Sequence, residues 1–326
     1  MGRSSDLSFS TPLRAALALL LVVLGTTACG SETETATETA AETGTEAATE
    51  PVPRFVTTIP PLAMILRPVV EGRGTVLRLL EPGASPHTYD PRPSDLRAVE
   101  GSAAVFYGAA TLDAWATELP AERRVALLPL LPASARRSMP GGHGATASEA
   151  TADPHFWTDP LTVQQVLPPL VDTLCAMDAT GCSTYRANAD TFATRLSRLA
   201  GRLRLLLKPV REVPVMLAQP FFRYFLFEYG PRLVEIVEPQ PAKEPSPRRI
   251  RALTERARTD SVRALFTQHQ LPPRSAEVVG EAAGVPLYTL DPLGGVEGRT
   301  TYETLLLYNA RQIVKALHRE AGGAET

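Results

Sequence analysis

The stretch YRANADTFATRLSRLAGRLRLLLK, residues 185–208, decides the fold. It holds no proline and no strand signal, and Phe192, Leu196, Leu199, Leu203 and Leu206 recur every three or four residues, the spacing that lines one face of an α-helix. Lys208 and Pro209 supply the stop, because positive charge suits a helix C-terminus and proline cannot continue the hydrogen-bond ladder. One long helix is therefore predicted across the middle of the chain, joining the half before it to the half after it.

Both halves read alike. Short apolar runs alternate with longer helical patterns, the signature of βα units and mainly parallel sheets. Before the helix the expected strands are Arg54–Ile59, Thr75–Leu80 and Ala103–Tyr107; after it they are Val213–Ala218, Leu233–Val237, Ser261–Phe266 and Val285–Leu290. A last helix from Tyr302 to about Arg319 puts Leu305, Leu306, Ile313 and Leu317 on an apolar stripe. The expected fold class is α/β: an N-terminal lobe over 53–183, a connecting helix over 184–209 and a C-terminal lobe over 210–326.

Composition agrees with two globular lobes and narrows the partners. The 326 residues are 44% hydrophobic and 21% charged, and 33 Lys+Arg against 35 Asp+Glu leave a net charge of -2, without the basic excess that nucleic-acid binding requires. The chain opens with Arg3 and Arg14 ahead of the apolar run Ala15–Leu24, which is too short for the roughly 20 residues of a bilayer span and suits a secretory signal over 1–28. Thr26-Thr27-Ala28-Cys29 resembles a bacterial lipobox with Thr26 where the pattern has Leu, so Cys29 is expected to carry a lipid anchor; the same tract also suits an ordinary signal peptidase. Cys175 and Cys182 can pair in an oxidising compartment, which leaves Cys29 as the odd cysteine. From Ser31 to Glu50 the chain is nearly all Thr, Glu and Ala, and 29–52 reads as an anchor followed by an acidic tether that cannot bury a core.

Two histidines stand in proline-rich frames, Pro86-His87-Thr88-Tyr89-Asp90-Pro91 and Asp153-Pro154-His155-Phe156-Trp157-Thr158-Asp159-Pro160. Proline fixes its own φ and restricts its neighbour, so an imidazole just after it loses little further freedom when aimed at a ligand. His87 follows the strand ending near Leu80, Gln219 the strand ending at Ala218, and Asp291 the strand ending at Leu290. Ligands of open α/β sheets bind beyond such carboxyl ends. Two facing lobes would place His87 and His155 on one side of a cleft, with Gln219 and Asp291 on the other.

With these frames, the opening Val56-Thr57-Thr58-Ile59-Pro60-Pro61-Leu62, Pro93-Ser94-Asp95-Leu96, Glu244-Pro245-Ser246 and Leu290-Asp291-Pro292-Leu293-Gly294, the chain resembles the metal-specific solute-binding proteins of bacterial zinc and manganese ABC importers, the ZnuA/TroA-like group, from about Phe55 to Leu317. The resemblance implies two βα lobes on one long helix with a metal cleft between them, in a protein that the signal and Cys29 lead us to expect exported, lipid-anchored at the membrane and monomeric. Such a protein captures Zn2+ or Mn2+ and delivers it to an ABC permease and its ATPase. It also implies that His87, His155 and Asp291 are ligands. Gln219 departs from the pattern, which has His or Glu there.

That departure matters chemically. Two imidazoles and a carboxylate make an adequate zinc core, but glutamine adds only a neutral carbonyl oxygen, so weaker binding is expected. Gln219 can coordinate weakly, a water can take the position, or another side chain can substitute. His143 and His269 are the candidate substitutes, while His318 on the last helix reads as a surface residue. Asp90, Asp159 and Glu244 are candidate acceptors for the second N–H of the histidines. Two other functions compete: a lipoprotein with an adhesion or scaffold role and no metal, and an exported metallohydrolase, although no HExxH or Gly-x-Ser-x-Gly motif supports catalysis.

Overall fold

The computed structural model describes residues 52–139, 152–240 and 244–321. The signal segment, Cys29, the Ser31–Glu50 tract and His143 lie outside the described residues.

The N-terminal lobe is built on β1 (Arg54–Thr57), α1 (Pro60–Val70), β2 (Thr75–Arg78), α2 (Pro93–Val99), β3 (Ala104–Tyr107), β4 (Arg124–Ala126) and α3 (Pro160–Met177). After α4 (Cys182–Leu207) the C-terminal lobe follows as β5 (Pro214–Leu217), α5 (Arg223–Tyr229), β6 (Arg232–Ile236), α6 (Pro247–Thr259), β7 (Ala264–Gln268), α7 (Arg274–Ala283), β8 (Leu287–Leu290) and α8 (Tyr302–Ala321). Each lobe holds a four-stranded parallel sheet, ordered β2-β1-β3-β4 and β6-β5-β7-β8. The central strands carry the continuous apolar runs expected where both faces are covered: Phe55, Val56, Val105 and Phe106 in one sheet, Val215, Met216, Leu265 and Phe266 in the other, all fully buried.

This order creates a topological switch point in each sheet, between β1 and β3 and between β5 and β7, where successive connections leave in opposite directions. The loops that diverge there in the C-terminal lobe begin at Ala218 and His269.

The connecting helix ends at Leu207, about where it was expected, but begins earlier than read. It starts at Cys182, because Asp178 ties the preceding turn: its carboxylate accepts from Arg73 (2.7 Å), the Tyr185 hydroxyl (2.6 Å) and the Gly181 N–H (3.2 Å). Cys175, near the end of α3, is joined to Cys182 in the same turn. Its buried stripe runs Phe192, Leu196, Leu199, Leu203 and then Leu207, with Leu206 only half-buried. Burying one such side chain contributes roughly 1.5–3 kcal/mol, and α4 lends them to a core shared with α1, α3 and α8.

Strand β4 was not expected. It is a three-residue edge strand paired with β3, and Arg124-Val125-Ala126 is too short to show alternation. Strand β7 lies later than read, running to Gln268 instead of ending at Phe266, which carries the sheet toward the cleft.

The lobes meet around Trp157. Its indole Nε1 donates to the Pro292 carbonyl (2.9 Å), and the Tyr302 hydroxyl donates to the Trp157 carbonyl (2.6 Å). No helix among the described residues is long and apolar enough to cross a membrane.

Candidate metal centre

His87 is positioned by its frame. Trp115 Nε1 donates to the Pro86 carbonyl (2.9 Å), and the Tyr89 ring lies 4.9 Å from that of Trp115. The Tyr89 hydroxyl donates to Asp95 in the first turn of α2 (2.6 Å). The loop is thus pinned on both sides of the imidazole. Burial, reinforced by the nearby His155, lowers the pKa of His87 from 6.5 to about 4, so at neutral pH the ring is uncharged and keeps a free lone pair.

His155 is buried and oriented by Asp153, whose Oδ1 lies 2.7 Å from Nδ1 and accepts the His155 backbone N–H (3.1 Å). A carboxylate oxygen at this distance takes the Nδ1–H, which leaves Nε2 as the ring nitrogen directed to a ligand. The other oxygen of Asp153 takes Arg223 from α5 (3.1 Å), and the Tyr224 hydroxyl donates to the Asp153 carbonyl (3.2 Å). The two imidazoles stand 6.2 Å apart between ring centres.

Asp153 is therefore the acceptor for His155, and the three carboxylates considered from sequence are not. Asp159 is the N-cap of α3, accepting from the N–H groups of Leu161 (3.0 Å) and Thr162 (3.1 Å) and from the Tyr229 hydroxyl (2.8 Å). Asp90 and Glu244 are exposed, as are His269 and His318.

The two positions across the cleft are buried but engaged elsewhere. Gln219 donates through Nε2 to Glu238 Oε2 (2.9 Å), and its Oε1 faces Gln268 Nε2 (3.5 Å). Asp291 Oδ1 accepts from the N–H groups of Leu293 (3.1 Å) and Gly294 (2.9 Å), while Oδ2 lies 3.3 Å from the Arg299 guanidinium. Asn309 fixes the backbone of Asp291 with two more hydrogen bonds, 2.7 and 2.8 Å. The turn that carries Arg299 approaches the N-terminal lobe closely: Gly295, at φ +81°, has no room for a side chain against Pro60 and Arg78.

A small cavity between the lobes is lined by Ser85, His87 and His155 from one side and by Gln268, Gln270 and Leu293 from the other. The structure thus brings the two histidines to one cavity, whose lining includes neither Gln219 nor Asp291. Among the described residues no three His, Cys, Asp or Glu side chains converge as a metal would need. Gln268, Gln270, Glu238 and Arg299 escaped the sequence reading. The strand-end rule that selected Gln219 would also have selected Gln268 and Gln270, had β7 been carried to its true end.

Two parallel βα lobes on one long helix, with histidines of one lobe facing amides of the other, define a two-lobed solute-binding protein. Residues 55–316 match the family model described as ZnuA, zinc-uptake complex component A, periplasmic, and the chain belongs to that family. The high-affinity zinc uptake system protein ZnuA of Paracoccus denitrificans is 28% identical over 289 residues, covering 78% of this chain and 89% of the relative. The zinc-binding protein AdcA of Streptococcus pyogenes is 22% identical over 74% of this chain, and the match spans about half (51%) of AdcA's length. Among solved structures, the periplasmic zinc-binding protein TroA of Treponema pallidum superposes with a TM-score of 0.69 at 22% identity, over 82% of this chain and 99% of TroA. The solute-binding protein FpvC of Pseudomonas aeruginosa in complex with Mn2+ gives 0.70 at 21% identity, over 82% and 99%. At these identities the two structures speak for the fold.

Proposed function

We propose that this protein is the extracytoplasmic capture component of an ABC importer for a divalent transition metal, zinc first and manganese next, and that it hands the ion to a membrane permease driven by its ATPase. The observation that carries the reading is the pair His87 and His155, 6.2 Å apart in the cleft, one neutral at physiological pH and the other oriented by Asp153. Imidazole ligands, one of them backed by a carboxylate, suit zinc, and the Irving–Williams order ranks zinc above manganese at such a site. Asp291 joins the ligand set if the metal draws it from Arg299, and Gln219 is the fourth candidate. The protein acts as a monomer without catalysis of its own, held to the membrane by a lipid on Cys29.

One observation favours the competing reading of a lipoprotein that has lost metal binding: the Asp291 carboxylate is already neutralised by Arg299. Titration of the soluble part with Zn2+ and Mn2+, followed by thermal unfolding, separates the two. Metal at about 1,000 times its dissociation constant stabilises the fold by roughly 4 kcal/mol. His87→Ala and His155→Ala should abolish that gain, and a wild-type protein indifferent to metal would overturn the capture reading.

A further inference from the structure

Gln219 occupies the position where a ligand is expected, yet both ends of its amide are taken, Nε2 by Glu238 and Oε1 by Gln268. Asp291 likewise spends one oxygen on two backbone N–H groups and the other on Arg299. The side chains that face His87 and His155 across the cavity are Gln268 and Gln270. Within that lining two buried polar atoms have no hydrogen-bond partner among the described residues, Oε1 of Gln270 and Oγ of Ser85. A buried acceptor without a partner is costly, and native proteins keep few of them. Both residues line the cavity that also holds the two imidazoles.

We propose that Gln270, through its side-chain carbonyl oxygen, is the donor from the C-terminal lobe to the divalent transition metal held by His87 and His155. The inference rests on the metal-capture reading and adds to it a ligand outside the expected set. Position supports it: Gln270 lies two residues beyond β7, in one of the two loops that diverge at the switch point of the C-terminal sheet. Chemistry supports it as well. The amide oxygen is an acceptor with two lone pairs, and oxygen donors serve both zinc and manganese. Two imidazoles and one amide carry no charge, so while Asp291 stays paired with Arg299 the ion keeps its full positive charge and its remaining positions fall to water or a small anion. The Ser85 hydroxyl can bond such a water. A metal held this way links the loop after β2 to the loop after β7.

The test is competitive Zn2+ titration against a chromophoric chelator, with Co2+ spectra of the same samples, on wild type, Gln270→Leu, Gln270→Asn, Gln219→Leu and His155→Ala. Gln270→Leu should bind about tenfold or more weakly and change the Co2+ ligand-field bands, a larger loss than Gln219→Leu shows. Gln270→Asn keeps the amide but shortens its reach, and should weaken binding even if the leucine variant fails to fold. If wild type binds zinc, His155→Ala does not, and both Gln270 variants match wild type, the inference fails while the capture reading stands. A loss in Gln219→Leu equal to that in Gln270→Leu would overturn it too, by returning the donor to Gln219. Absence of zinc binding by wild type would overturn both.

Discussion

The Nδ1 atom of His155 lies 2.7 Å from Oδ1 of Asp153, two residues earlier in the same proline-containing turn, and the opposite oxygen of that carboxylate takes Arg223 from α5 at 3.1 Å. The tautomer of one N-terminal-lobe histidine is thereby fixed by a carboxylate that a C-terminal-lobe arginine holds in place. Asp153→Asn should disturb this relay without emptying its space. An amide has only one acceptor oxygen for two donors, Nδ1–H and the Arg223 guanidinium, so when Arg223 takes it the ring meets an NH2 group and can flip to the wrong tautomer. Zinc affinity should fall about 10- to 100-fold. Calorimetric titration of the variant checks it, and unchanged affinity would show that Asp153 serves only the fold.

Arg299 and Asp291 supply the second prediction. In the metal-free protein Arg299→Gln leaves the buried Asp291 with its two backbone N–H partners but no counter-charge, which should cost about 1–3 kcal/mol of stability. If Asp291 turns to the metal, saturating zinc should restore most of that loss, because the ion replaces the guanidinium. Chemical unfolding with and without zinc measures both numbers. A loss that zinc does not repair would mean that Asp291 stays with its loop.

These relationships mark how far the sequence could be read. The two-lobed fold was legible because β1, β3, β5 and β7 bury continuous apolar runs and α4 carries an uninterrupted stripe. Strand β4 was not, since three edge residues show no period. The histidine pair was legible because proline frames restrict the backbone locally. Its surroundings were not: Arg299 reaches Asp291 across a turn shaped by Gly294 and Gly295, both at positive φ, and Glu238 meets Gln219 only because β5 and β6 lie side by side. Such contacts depend on register and loop geometry, which no single residue announces.

The Cys175–Cys182 bond closes a short loop between α3 and α4. Loop-entropy arguments value a link of this size at about 2.5 kcal/mol. Mass spectrometry of the non-reduced protein should find the two residues joined, and Cys175→Ser with Cys182→Ser should lower stability by about that amount while leaving zinc affinity unchanged. Free thiols in the exported protein would refute the bond. The Arg73–Asp178 ion pair in the same turn should keep α4 starting where it does even in the reduced protein.

His87 sets the pH dependence. Burial first, and His155 second, lower its pKa from 6.5 to about 4, whereas in the unfolded chain the imidazole takes up its proton near 6.5. Between these values the unfolded state binds more protons than the folded one, so stability must rise with pH across the window. The contribution is fully present above about pH 6.5 and is lost as pH falls to about 4. Its size is roughly 2 kcal/mol after allowance for the partial exposure of the ring. Urea unfolding of the metal-free protein at pH 4.5 and pH 7 should show this loss, and His87→Ala, which has no proton to gain, should show a correspondingly smaller one. Equal losses in the two proteins would place the titrating group elsewhere. Because the folded ring resists protonation, His87 should also remain available to zinc in mildly acidic surroundings, where an ordinary imidazole would already be charged.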